Sequence, residues 1–191
     1  MTSFGAWLDR WAVERSDHPA IIESSPDGDH ITVTYGDLHR QVVEAAKALA
    51  AQGVAPGHRV VWLGENRISF LVQFLACSRL GAIFTPLNTR LTAAEQTAQV
   101  TWAAPAVVDG DVSATDRVVE LRAAAANAPT VDAASAIDAS DPALLVYTSG
   151  TTGRPKGAVH THRSLNAVVD MGVATQGLTA TDIGLAFLPL F

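Results

Sequence analysis

Short apolar runs alternate with stretches of helical periodicity along most of the chain. The runs RVVWLG, AIFTPLN and LLVY, together with Val107 and Val108, are typical of buried strands. The stretches between them carry apolar residues three and four positions apart, as amphipathic helices do. This alternation predicts an α/β fold in which a mainly parallel sheet is flanked by helices on both faces.

Helix starts are marked by short polar residues. Thr34 with Asp37 and Thr92 with Glu95 have the spacing of helix-capping pairs. Asn66 directly precedes another periodic stretch, and we expect it to cap that helix. Each of these positions therefore predicts the start of a helix.

Two patterns near the beginning of the chain predict one helix and one strand. The helix would turn an aromatic stripe inward, consisting of Phe4, Trp7, Leu8 and Trp11. The strand lies in HITVTY, where the residues on one face would be Ile31, Val33 and Tyr35. From 113 to 140 the periodicity is weak, and we expect a helix and a loose connector there.

Composition restricts the function classes. With 48% hydrophobic residues and a mean hydropathy of +0.20, the chain is expected to fold around a real core. A net charge of -6 provides no positive field for nucleic acid, so nucleic-acid binding is disfavoured. The single cysteine, Cys77, lies in an apolar run and is interpreted as a core residue.

Neither a secretion signal nor a transmembrane segment is evident in the sequence. Charged residues such as Asp9 and Arg10 interrupt the stretch where a signal peptide would be apolar. The longest apolar run, 68–84, is broken by Gln73 and Arg79 and is short for a membrane span. These features predict a cytoplasmic location.

The segment TSGTTGRPKG, which follows the apolar strand ending at Tyr147, is unlike any packed element. Gly150, Gly153 and Gly157 allow sharp turns and a close approach of the backbone to a ligand. Successive backbone N–H groups and side-chain hydroxyls can bind anions, and Lys156 adds a full positive charge. The composition of the segment indicates a binding loop for a polyphosphate.

Two other interpretations of this segment are weaker. A Walker loop, GxxxxGK[ST], fails because its second glycine would fall at Pro155 when counted from Gly150. A solvated connector without a ligand is compatible with the composition alone. However, a flexible linker rarely contains a rigid Arg-Pro-Lys segment so soon after a buried strand.

The segment YTSGTTGRPKG, Tyr147 to Gly157, closely resembles the phosphate loop of the adenylate-forming superfamily. Weaker similarities follow in the same order along the chain: TYGDL at Thr34, GEN at Gly64, GAIFTPLNTRLT from Gly81, and HTHRSLNA after the loop. The resemblance to acyl-CoA synthetases, aryl-acid ligases and peptide-synthetase adenylation domains therefore covers nearly the whole chain.

This resemblance implies a two-step reaction. A carboxylate would attack the α-phosphorus of ATP to give acyl-AMP and pyrophosphate, and the thiol of coenzyme A would then accept the acyl group. The resemblance assigns the phosphates to Thr148, Ser149, Gly150, Thr151, Thr152, Gly153 and Lys156. Lys156 and Thr151 would be the catalytic residues, and Mg²⁺ would bridge phosphate oxygens.

Family members continue well beyond the length of this chain. The resemblance therefore implies that residues 1–191 are the N-terminal portion of the large domain, without the small C-terminal domain. We expect such a portion to be inactive alone. The favoured parent activates a fatty or related organic acid. The alternatives are an aryl-acid ligase, a peptide-synthetase adenylation domain, and a non-catalytic nucleotide-binding protein.

Two other polar pairs have ordinary structural interpretations. His160 and His162 could share one face of a strand and bind a metal, but no third ligand of the usual kind is nearby. Asp109 and Asp111 are explained by a turn after a strand. We therefore predict no metal-ligating residue in this chain, and a helix that starts near Thr161 or His162.

Overall fold

A computed structural model describes residues 4–24, 27–111, 116, 118, 137–148 and 155–186. The helices with described bounds are α1 (Phe4–Glu14), α2 (Tyr35–Ala51), α3 (Ile68–Leu80), α4 (Ala93–Ala103) and α5 (His162–Gln176). The strands are β1 (Pro19–Ser24), β2 (His30–Thr34), β3 (Arg59–Leu63), β4 (Ile83–Leu87), β5 (Val107–Gly110), β6 (Pro142–Thr148) and β7 (Lys156–Thr161).

Five strands form the central sheet in the order β5-β3-β4-β6-β7. Strands β5, β3, β4 and β6 run parallel, and β7 returns antiparallel to β6. The predicted α/β fold with a mainly parallel sheet is confirmed. The antiparallel strand at one side is a feature that the alternation of strands and helices did not predict.

Two hydrophobic cores lie on opposite faces of this sheet. The first core is formed mainly by α1, α2 and α3 against the sheet and includes Leu8, Leu38, Val42, Val60, Trp62, Phe70, Cys77 and Phe84. The second core lies on the α4 face and contains Val61, Leu63, Leu87, Val100, Ala103, Val108 and Val118. Successive residues of β3 alternate between the two cores, as residues of a strand buried on both faces must.

A small antiparallel sheet of β1 and β2 packs beside α2, and β1 was not predicted from the sequence. The expected strand ends earlier than its pattern indicated, because Tyr35 is already the first residue of α2. On this face of β2, Val33 is buried while Ile31 is 58% exposed. Ile31 and Val33 do lie on one face of β2, and the extension of that face to Tyr35 was wrong.

The start of α3 also differs from the prediction. Its N-cap is Arg67, not Asn66, and the Arg67 side chain makes no capping hydrogen bond with the helix backbone. Instead, the Ile68 N–H donates to Glu23 Oε2 at 2.7 Å, and Arg67 forms an ion pair with the same carboxylate. Glu23, which lies on β1 and is remote in sequence, thus accepts a hydrogen bond from the first turn of α3. The local sequence pattern had assigned this capping role to Asn66.

The other predicted caps are confirmed. The Thr34 side chain accepts from the Asp37 N–H, and Thr92 with Glu95 forms a complete capping box. The aromatic stripe of α1 is only partly inward, since Leu8 is buried but Trp7 is 38% exposed. No helix within the described ranges is long and apolar enough to cross a membrane.

Cys77 is confirmed as a core residue. The side chain is fully buried in the first core, on α3. Burial, and to a lesser degree the negative charge of Asp109, raises the pKa of the Cys77 thiol far above its ordinary range. The thiol therefore stays protonated and packs as a small hydrophobe.

His162 opens α5 and is the least solvated histidine in the described residues, with 1% of its surface exposed. Neither ring nitrogen has a hydrogen-bond partner among the residues that the structure describes. Burial lowers the pKa of His162, and the nearby Asp141 only partly opposes this. The native state therefore favours the neutral imidazole.

Because its native pKa is lowered, His162 binds a proton more readily in the unfolded chain. Its contribution to stability is present above about pH 6.5, the ordinary histidine value, and is lost as the pH falls below it. The free energy of unfolding of the wild type should decrease between pH 7 and pH 5. We expect this decrease to be smaller in His162→Phe. Denaturant titrations at several pH values measure this. Val168→Ala, at an exposed residue of α5 that does not titrate, is the control and should keep the wild-type dependence.

Candidate phosphate-binding site

The candidate site is the turn between β6 and β7, at the carboxyl end of the parallel strands. Thr148, the last residue of β6, is the cross-strand partner of Lys156, the first residue of β7. The Thr148 hydroxyl donates to the Lys156 carbonyl oxygen at 3.3 Å. The two ends of the predicted loop are therefore held directly opposite each other, and both side chains are exposed.

Thr148 and Lys156 also point to the same face of the sheet, because cross-strand partners share a face. The predicted site residues Ser149, Gly150, Thr151, Thr152 and Gly153 lie outside the described residues. Their assignment stays a prediction. Of the predicted set, the structure brings together Thr148 and Lys156.

Tyr147 anchors the end of β6 to the helix behind it. Its hydroxyl donates to the Gln99 carbonyl oxygen at 3.1 Å, and its ring lies 6.4 Å from that of Trp102. Burial raises the pKa of Tyr147, and the positive charge of Arg59 partly offsets this, so the hydroxyl stays a donor. α4 therefore fixes the strand residue directly before Thr148. In the sequence, Tyr147 was recognised only as part of the motif, because its partner Gln99 is 48 positions away.

A strand, not a helix, follows the loop. In a Walker loop the phosphates meet the N-terminus of the next helix. Here β7 intervenes, and the first N–H groups of α5 already have partners: His162 N donates to Asp141 O, Arg163 N to Ala139 O, and Ser164 N to the Thr161 hydroxyl. The start of α5 is therefore not an anion site, which agrees with the rejection of the Walker pattern.

The structure shows where the histidine pair and the aspartate pair of the sequence analysis lie. His160 lies on β7, while His162 is the first residue of α5, so the two do not share a strand face. Asp111 accepts a hydrogen bond from the Glu65 N–H at 2.7 Å, which ties the turns after β5 and β3 together. Asp109 accepts from Gln73 at 3.5 Å.

Comparison with known proteins places this geometry in a family. The sequence profile described as "AMP-binding enzyme" matches residues 8–191, nearly the full chain. The chain belongs to the AMP-binding enzyme family. The superfamily inferred from the loop and its neighbouring motifs is thereby confirmed.

Two curated relatives illustrate the range of AMP-binding enzymes that this chain resembles. Long-chain-fatty-acid–CoA ligase FadD13 of Mycobacterium tuberculosis is 33% identical over 195 residues, covering 90% of this chain and 37% of the relative. Feruloyl-CoA synthase of an Amycolatopsis species is 37% identical over 169 residues, covering 83% of this chain and 34% of the relative. The chain thus spans little more than a third of either relative.

A solved structure supports the fold assignment. The inhibitor-bound N-terminal domain of FACL13 from Mycobacterium tuberculosis superposes with a TM-score of 0.72 at 29% identity. The match covers 87% of this chain and 46% of that domain. The parallel sheet and its flanking helices therefore belong to the N-terminal domain of this type of enzyme.

Tyr147→Phe tests the anchoring of β6 on α4. Removing the hydroxyl leaves the Gln99 carbonyl without this donor, so we expect a loss of about 0.5–1.5 kcal/mol in unfolding free energy. Denaturant unfolding measures the change. Tyr35→Phe is the matched control, because the Tyr35 hydroxyl makes no hydrogen bond to a described residue, and it should be within about 0.5 kcal/mol of wild type. Equal losses in both variants would contradict an anchoring role.

Proposed function

We propose that the protein is an AMP-forming acid–thiol ligase, which activates a carboxylic acid with ATP and transfers the acyl group to coenzyme A. The observation that carries the proposal is the hairpin in which Thr148 and Lys156 close a Gly- and hydroxyl-rich loop. Membership of the AMP-binding enzyme family supports the same reaction class.

The residues of this hairpin and loop suit the electrostatic requirement of the first reaction step. A carboxylate and ATP are both anions, so the site must neutralise the phosphates while leaving the α-phosphorus open to attack. Lys156 would supply the positive charge, and Thr151 would donate its hydroxyl to the departing pyrophosphate. Thr148, Ser149, Thr152 and the backbone N–H groups of Gly150 and Gly153 would bind the remaining phosphate oxygens. The attacking carboxylate is already ionised, so no general base is required.

Mg²⁺ would bind together with ATP. When bound with ATP, the ion would neutralise part of the charge on the phosphates. The residues at hand do not form a site for it, since the described part of the chain contains no group of three His, Cys, Asp or Glu side chains that could hold a metal. We therefore assign no magnesium ligand among the described residues.

The proposed acid is a fatty or related organic acid, on the strength of the similarity to FadD13. An aryl acid is the second candidate, because feruloyl-CoA synthase is 37% identical over most of the chain. We further propose that residues 1–191 act as the first part of a larger catalytic domain and form no acyl-AMP alone. A cytoplasmic location remains a prediction from the sequence.

Lys156→Ala in the full-length enzyme tests the proposed reaction. Removing the positive charge that faces the phosphates should lower acid-dependent exchange of labelled pyrophosphate into ATP by about 10²–10³-fold. Adding Thr151→Ala should lower it further. The assay is run over a panel of fatty and aryl acids, which also separates the two candidate substrates.

Lys47→Ala provides the matched control, because Lys47 is an exposed lysine on α2 that pairs with Glu44. It should leave exchange within about twofold of wild type. If the double variant at Lys156 and Thr151 kept full exchange, the proposed function would be refuted. Binding of ATP without any exchange in the unaltered enzyme would instead favour a non-catalytic nucleotide-binding protein.

A further inference from the structure

The described lysine and arginine side chains differ in whether they contact an acceptor group of the protein. Among the described residues, most lysine and arginine side chains contact a carboxylate or a backbone carbonyl: Arg10, Arg15, Arg40, Lys47, Arg59, Arg67 and Arg79. Within the same residues, Lys156, Arg90 and Arg163 make no such side-chain contact. Arg163 nevertheless has an acidic neighbour, since the pKa of Asp138 is lowered by hydrogen bonds from Ser140 and further by the charge of Arg163.

Arg90 and Lys156 lie at the same edge of the sheet. β4 and β6 are parallel neighbours, with Phe84 opposite Leu144. Continuing that register places Asn88, the first residue after β4, level with Thr148, on strands about 4.8 Å apart. The turn that carries Arg90 therefore begins beside the end of β6, and Lys156 begins the next strand along.

The turn that carries Arg90 is built by hydrogen bonds. Asn88 Oδ1 accepts from the Arg90 N–H at 2.8 Å, and the buried Gln96 side chain donates to the Asn88 carbonyl at 3.3 Å. On the other side, the capping box of Thr92 and Glu95 fixes the start of α4. The backbone on both sides of Arg90 is thus held, while its side chain is exposed.

We propose that Arg90 binds a phosphate group of a nucleotide co-substrate and works together with Lys156 at this edge of the sheet. Arg90 and Lys156, which have no carboxylate partner among the described residues, form a local positive site that attracts polyanions in a chain of net charge -6. A guanidinium suits phosphate oxygens because it donates two parallel hydrogen bonds. The phosphate belongs to ATP or to coenzyme A, and the inference rests on the proposed function.

Arg90→Gln in the full-length enzyme tests this role. The KM for ATP is measured in acid-dependent pyrophosphate exchange, and the KM for coenzyme A in thioester formation. At low ionic strength we expect one KM to rise about three- to tenfold, because one exposed contact between opposite charges is lost. The co-substrate whose KM rises is the source of the phosphate. The kcat and the melting temperature should stay near wild type, and Arg90→Lys, which keeps the charge but not the two parallel hydrogen bonds, should restore only part of the affinity.

Arg163→Gln is the matched control, since it removes an exposed arginine from the opposite end of β7. It should change neither KM, and salt should reduce the effect of Arg90→Gln through screening. Two unchanged KM values in Arg90→Gln, or a loss confined to kcat and thermal stability, would overturn the role of Arg90. Absence of exchange in the unaltered enzyme would refute the proposed function itself.

Discussion

The pairing of Thr148 with Lys156 across the last two strands of the sheet is the interaction on which the candidate site depends. β6 is tied to the parallel strands through β4, and β7 is tied to β6 by an antiparallel ladder that ends at this pair. Both ends of the Gly-rich loop are therefore fixed by backbone hydrogen bonds of a sheet with a core on each face. A loop closed in this way can present its N–H groups without ordering its ends again when a ligand binds.

The end of β6 is supported from behind by α4. Tyr147 donates to the carbonyl of Gln99, and Arg59 at the start of β3 donates to the carbonyl of Ala103, at the C-terminal end of the same helix. Carbonyl groups at a helix C-terminus lack helical partners, so a guanidinium there satisfies them. α4 is thus held to two strands of the sheet by polar contacts, in addition to the second core. The polar network and the apolar packing together position the residue before the loop.

The sequence predicted much of this architecture because its signals are local. Continuous apolar runs identified β3, β4, β5 and β6, and cap spacing identified the starts of α2 and α4. The error at the start of α3 is caused by a partner remote in sequence. Glu23 replaces Asn66 at the start of α3, and no local pattern could indicate a carboxylate 45 positions away. β1 was missed for another reason, because its short run PAIIES shows no strict alternation of apolar and polar residues.

Hydrogen–deuterium exchange of the full-length enzyme, with and without ATP, measures most directly whether this hairpin holds a nucleotide. Peptides that span 142–161 should exchange more slowly when ATP is bound, because the ligand accepts hydrogen bonds from backbone N–H groups there. Peptides from α2, on the far side of the first core, should exchange at the same rate in both conditions. If ATP bound and slowed exchange elsewhere while 142–161 was unchanged, the hairpin would not be the phosphate site.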